Sequence, residues 1–188
     1  METFLIAFIA VAFAEMGDRP QLLAAALAAR FGRNGPVIAG LVIASLINAL
    51  VSAYAGSFIK DWISEDPLLL FRSLAYLFAG VAMLAPRKAI DLLAGWKTGP
   101  FWTTLLGLFI LQFGDKSQFI IAVEGAAGQH WLLAALGGWL GMLVAGIAAI
   151  ILKQRLAELL PLKALRLTAG ALMLALGVAM ALSAWRIL

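Results

Sequence analysis

Long apolar runs separated by short polar punctuation account for nearly the whole chain. Six of them predict helices over roughly 3–29, 36–58, 69–86, 101–127, 131–152 and 164–186. Runs of about 18 or more such residues are long enough to cross a hydrocarbon core of about 30 Å. The connections carry turn and breaker residues: Gly32 to Pro36, Ser64 to Pro67, Gly95 to Pro100, Gly128 to His130 and Lys153 to Lys163. The third run is the shortest, and its helix has room to continue past Pro86. The expected fold is all-α: a polytopic membrane protein with six transmembrane helices.

Two polar clusters interrupt this pattern from inside apolar runs. They are Glu15-Met16-Gly17-Asp18-Arg19-Pro20-Gln21 and Gln112-Phe113-Gly114-Asp115-Lys116-Ser117-Gln118. Each falls where its helix would pass the bilayer midplane. An ionisable side chain there costs roughly 2.5–3.5 kcal/mol on insertion scales, so such residues are functional candidates by default.

The clusters also align with each other. Asp18 and Asp115 are 97 positions apart, and the same offset pairs Gly17 with Gly114, Gln21 with Gln118 and Gly40 with Gly137. Pro67 and Pro161 each precede an arginine by five positions, at Arg72 and Arg166. This pattern predicts an internal duplication, with residues 1–94 as one three-helix repeat and 95–188 as the second, together one membrane domain. An odd number of spans per repeat makes the halves insert with opposite orientation. Arg30, Arg33, Arg87, Lys88, Lys97, Lys153, Arg155, Lys163 and Arg166 then share one side, against Lys60, Arg72 and Arg186 on the other. The positive-inside rule makes the first side cytoplasmic and puts both termini outside, with a bacterial inner membrane as the expected location. Inverted repeats place a substrate site near the midplane between the halves, so the two clusters are expected to face each other there.

Composition narrows the class further. The chain is 64% hydrophobic and 13% charged, against about 25% charged residues in ordinary soluble domains. No cysteine is present, which removes disulfides, thiolate metal sites and cysteine catalysis. The net charge of +4 comes from basic residues in loops between spans and does not point to nucleic acid. No cleavable signal peptide is expected, because the first run lacks a basic leader and a convincing small-residue cleavage site.

Glu15, Asp18 and Gln21 are spaced three apart, as are Gln112, Asp115 and Gln118, which keeps each set on one broad helix face. Two facing stripes gather three carboxylates and three amides, with the Ser117 hydroxyl beside them. These are oxygen donors, the set preferred by hard cations such as Mn²⁺, Ca²⁺ or Mg²⁺. Pro20 inside a helix would free the Met16 carbonyl as a further donor lining the site. Arg19 and Lys116 each follow an aspartate by one residue, about 100° around the helix. They are expected off its stripe, bridging to neighbouring helices or gating the site. Protons and divalent cations would compete for the same oxygens, the simplest basis for cation/proton antiport.

The motif E-x-G-D-[KR]-[ST], once in each half of a short six-helix protein, resembles that of the Gdt-type cation/proton exchangers of Golgi, chloroplast and bacterial membranes. The resemblance covers essentially the whole chain. It implies a proton-coupled antiporter that exports Mn²⁺ or Ca²⁺ from the cytoplasm, with no permanently bound cofactor. By that resemblance Glu15, Asp18 and Asp115 are cation ligands and proton carriers. Gln112 and Ser117 occupy ligand positions, and Gln21 and Gln118 line the site. The chain departs from the motif twice, with Gln112 at an acidic position and Pro20 at a hydroxyl position.

Other polar residues have blander expectations. Glu124, near the outer end of its run, reads as a solvated or vestibule group, with a ligand role as the alternative. Asn48 with Ser45 and Ser52 forms a polar seam that reads as interhelical hydrogen bonding, with lining of the ion path as the alternative. His130 beside Trp131 marks an interface. Gly137, Gly138 and Gly141 form a small-residue face for close helix packing. Trp62, Trp96, Trp102, Trp131 and Trp185 lie near span ends, as an aromatic belt should, whereas Trp139 does not.

Competing functions remain beside the antiporter. Export of another cation or a small solute is the main rival. An intramembrane aspartyl protease using Asp18 and Asp115 would need no metal, and a non-transporting scaffold would keep its function with both aspartates changed to asparagine. The partners expected are the lipid bilayer and a divalent metal ion, with no nucleic acid, and the chain acts as a monomer or a homodimer.

Overall fold

A computed structural model describes residues 1–60, 62–87 and 89–185. Lys88 and Arg186, two of the basic residues used to orient the chain, lie outside the described residues. Every regular element among the described residues is helical. In chain order these are α1 (Glu2–Glu15), α2 (Arg19–Phe31), α3 (Asn34–Lys60), α4 (Glu65–Leu84), α5 (Pro100–Gln112), α6 (Lys116–Ala127), α7 (Trp131–Leu152), α8 (Leu156–Leu159) and α9 (Leu162–Ala184), with a 3-10 turn at Lys153–Arg155.

Four stretches are each long and apolar enough to cross a membrane: α3, α4, α9 and Trp131–Leu159, which contains α7 and α8. Helices α5 and α6 make a fifth such unit, bent by 68°. With 14 and 13 residues, α1 and α2 are each only about 20 Å long at 1.5 Å per residue, short of a bilayer core by themselves. Helix α4 begins before residue 69 and stops at Leu84, so it does not run past Pro86.

The unbroken helices expected over 3–29 and 101–127 are corrected: each is two helices. The chain breaks in the same way both times. Met16 and Phe113 turn extended (ψ 123° and 122°). The next residues, Gly17 and Gly114, adopt left-handed φ of +70° and +73°, a conformation that is costly for a residue with a Cβ. Asp18 and Asp115 then act as N-cap residues of α2 and α6. Pro20 does not cause the first break. It sits in the first turn of α2, where an amide proton has no intrahelical partner to lose.

Helix pairs join distant parts of the chain: α1 packs on α7, α5 on α3, and α4 along α9, while α3 also packs against α6 and α7. Small residues set the spacing. A Cβ on Gly141 would stand 2.8 Å from the Phe8 carbonyl oxygen, and one on Gly125 would stand 2.6 Å from that of Ala53. Gly137 and Gly138 likewise face the Phe4 backbone and the Ile121 side chain with no room for a methyl group. Trp139, the tryptophan away from the span ends, donates its ring N–H to the Val42 carbonyl at 3.1 Å. His130 is exposed at the start of α7.

Candidate functional site

A glutamine four residues beyond each glycine closes each break. The Gly17 amide donates to Gln21 Oε1 at 2.8 Å, and the Gly114 amide donates to Gln118 Oε1 at 2.8 Å. The spacing that puts Gln21 and Gln118 on the aspartate stripe of an unbroken helix thus does a different job in a broken one. Each glutamine spends its oxygen on the turn and turns its amide outward. Gln21 Nε2 donates to the Ala145 carbonyl on α7 at 3.2 Å, and Gln118 Nε2 donates to Asn48 Oδ1 on α3 at 2.7 Å.

The breaks bring the two clusters together. Ser117 Oγ donates to Glu15 Oε1 at 2.6 Å. The Lys116 ammonium forms an ion pair with Asp18 and another with its neighbour Asp115, at 3.0 Å to Oδ2. Lys116 is buried at 1% exposure, whereas the Asp18 and Asp115 side chains keep 13% and 25%. Both aspartates lie at helix N-termini, where the positive end of the backbone dipole favours an anion. Lys116 therefore does share the aspartates' surroundings, contrary to the expectation for a continuous helix. The α2 break brings Asp18 to it, and the α6 N-cap geometry brings Asp115.

Asn48 reaches the second cluster from α3. Its Nδ2 donates to Gln112 Oε1 at 3.2 Å while its Oδ1 accepts from Gln118. Ser45 and Ser52 do not extend this seam, because each hydroxyl donates to a carbonyl of its own helix, Leu41 and Asn48 respectively. Arg19 forms no ion pair among the described residues, and its Nε is buried without a hydrogen-bond partner. No group of three Asp, Glu, His or Cys side chains is arranged to hold a metal among the described residues. The Lys116 ammonium lies between the two aspartates that would have to converge.

Glu124 is corrected. It is 1% exposed, with both oxygens 3.0 Å from the Arg72 guanidinium and one of them accepting from the Tyr76 hydroxyl at 3.1 Å. Arg72 and Tyr76 are one helical turn apart on α4, which packs along α6, so together they satisfy a carboxylate that would otherwise need water. Two arginines counted among the charges of the cytoplasmic side also act inside the fold. Arg87 donates to the Gly17 carbonyl at 2.7 Å, and Arg166, 7% exposed, donates to the Ala85 carbonyl at the end of α4. The signal for Arg166 was its repeat partner Arg72; Arg87 had none beyond its charge.

The arrangement assembles oxygen donors from two helix breaks around a single buried ammonium, in a chain whose helices mark it as an integral membrane protein. The described geometry contains no thiolate or imidazole at this point. A family model described as divalent cation/proton antiporter GDT1 matches residues 3–91 and 100–187. A Vibrio cholerae serotype O1 protein named "Putative manganese exporter" is 30% identical over 184 residues, which is 96% of this chain and 91% of that protein. No solved structure matches the chain. Its membrane helices, its paired clusters and these matches lead to one assignment: the chain belongs to the divalent cation/proton antiporter GDT1 family, a family of transporters.

Proposed function

We propose that this protein exports Mn²⁺ from the cytoplasm in exchange for protons, with Ca²⁺ as a second candidate ion. Its site is formed by Asp18, Asp115 and Glu15, with Ser117 and Gln112 at its edge. The observation that carries this reading is the meeting of the two clusters: Ser117 bonds Glu15, and one ammonium touches both Asp18 and Asp115. A position that holds a cation between carboxylates from two separate chain breaks is suited to a hard divalent ion. Broken helices that line a midplane site are a recurring transporter device. Protons compete with the ion for the same carboxylates, which couples the two fluxes. The relative named as a manganese exporter supports the choice of ion and direction.

Residues 1–94 and 95–188 act as two inverted three-helix repeats, with α1–α2 as the first span and α5–α6 as the fourth. The reciprocal pairing of α1 with α7 and α5 with α3 supports this, as do the identical breaks. Both termini then face away from the cytoplasm of a bacterial inner membrane, and the strongly basic connections face it. Mn²⁺ flux in proteoliposomes tests the proposal. An imposed proton gradient should drive Mn²⁺ movement, and Mn²⁺ should in turn move protons. Absence of both in folded protein would remove the assignment of ion and coupling.

A further inference from the structure

Lys116 has no task in ligand chemistry. An ammonium carries three donors and no acceptor, so it cannot coordinate a cation. A lysine at membrane depth is costly, and its place needs a reason. Here it is fully buried and contacts two carboxylates contributed by separate helix breaks, Asp18 at the start of α2 and Asp115 at the start of α6. The position it fills is the one a divalent ion must take to reach both aspartates.

We propose that Lys116 is a tethered counter-cation. It occupies the place between Asp18 and Asp115 when no metal is bound, and an entering divalent ion displaces it. This rests on reading Asp18 and Asp115 as ion ligands. The exchange needs no chemistry at the amine; its flexible four-carbon stem carries it out of the site and back. Two carboxylates held this close with no cation between them repel each other, and the tether removes that penalty from the metal-free protein. It also competes with the ion. Swapping one positive charge for two brings the Asp18–Asp115 pair to neutrality, and swapping back helps the ion leave.

A lysine serving only as a structural pin makes the opposite prediction, because its loss would splay the aspartates and weaken metal binding. The experiment measures Mn²⁺ binding to the purified full chain by titration calorimetry for wild type, Lys116→Gln and Asp18→Asn. Lys116→Gln is expected to bind Mn²⁺ at least tenfold more tightly than wild type, while its turnover in proteoliposomes falls. Unchanged or weaker binding overturns the counter-cation. Asp18→Asn controls the underlying reading: if it binds Mn²⁺ as wild type does, the site itself is wrong. If it loses binding while Lys116→Gln binds no tighter, only the counter-cation fails. Should Lys116→Gln not fold, wild-type protein is labelled with acetic anhydride with and without Mn²⁺ and read by peptide mass spectrometry. Acetylation of Lys116 should rise several-fold with Mn²⁺ and show no such rise in Asp18→Asn. Labelling that stays level or falls overturns the proposal.

Discussion

Ser117 Oγ donates to Glu15 Oε1 at 2.6 Å across 102 positions of sequence, and both side chains are almost fully buried. This bond ties the end of α1 to the start of α6, so each half of the chain holds a candidate ligand of the other. A buried hydrogen bond of this kind is worth about 1 kcal/mol or more. Ser117→Ala should therefore raise the Mn²⁺ KM about fivefold or more, while Ser117→Thr, which keeps the hydroxyl, should stay near wild type. Equal KM values in all three proteins would show that the bond does not organise the site.

Asp18 and Asp115 are expected to be indispensable. Asp18→Asn and Asp115→Asn each keep the shape and remove one charge facing Lys116. Each should reduce Mn²⁺ flux to background while the protein still purifies as a monodisperse species. Wild-type flux from either variant would dissolve the site.

The two breaks make an internal comparison of strain. Alanine at φ near +70° costs about 1–2 kcal/mol. At Gly114 that is the whole expected cost, since a Cβ there meets nothing within 4 Å. At Gly17 the Cβ would also run into the Leu162 carbonyl oxygen and approach Arg166 Cβ at 3.2 Å. Thermal unfolding in detergent should rank wild type above Gly114→Ala and Gly114→Ala above Gly17→Ala. A reversed order would mean that the packing of α9 over the first break is wrong.

Much of this architecture is legible in the chain because bilayer thickness and apolar length are tied to one another; the bounds of α7 coincide with the expected 131–152. The breaks are not legible in the same way. Glu15, Asp18 and Gln21 fit a helical period as well as they fit a turn, and only the left-handed Gly17, closed by Gln21, decides between the two. Pro20, which inside a continuous helix would free the Met16 carbonyl, starts a helix instead. An unbroken helix puts Lys116 off the aspartate stripe, whereas the breaks bring both aspartates to it. Contacts such as Arg87 with Gly17 depend on how a loop folds back over 70 positions, which no local pattern encodes.

Glu124 is the case where burial changes the expected outcome of a mutation most. As a solvated vestibule carboxylate, its replacement by glutamine would move stability by no more than about 0.5 kcal/mol. In the structure it accepts three contacts from Arg72 and one from Tyr76. Removing one partner of a buried ion pair costs about 3–5 kcal/mol, because the other charge is left uncompensated. Arg72 keeps 21% exposure, so screening should hold the loss for Glu124→Gln near the lower end of that range. The double variant Arg72→Met with Glu124→Leu removes both charges together and should recover most of the loss, since replacing a buried pair by apolar side chains is often neutral. Thermal unfolding of the two single variants and the double variant measures the coupling directly. Independent, additive losses would show that α4 and α6 are not joined through this pair.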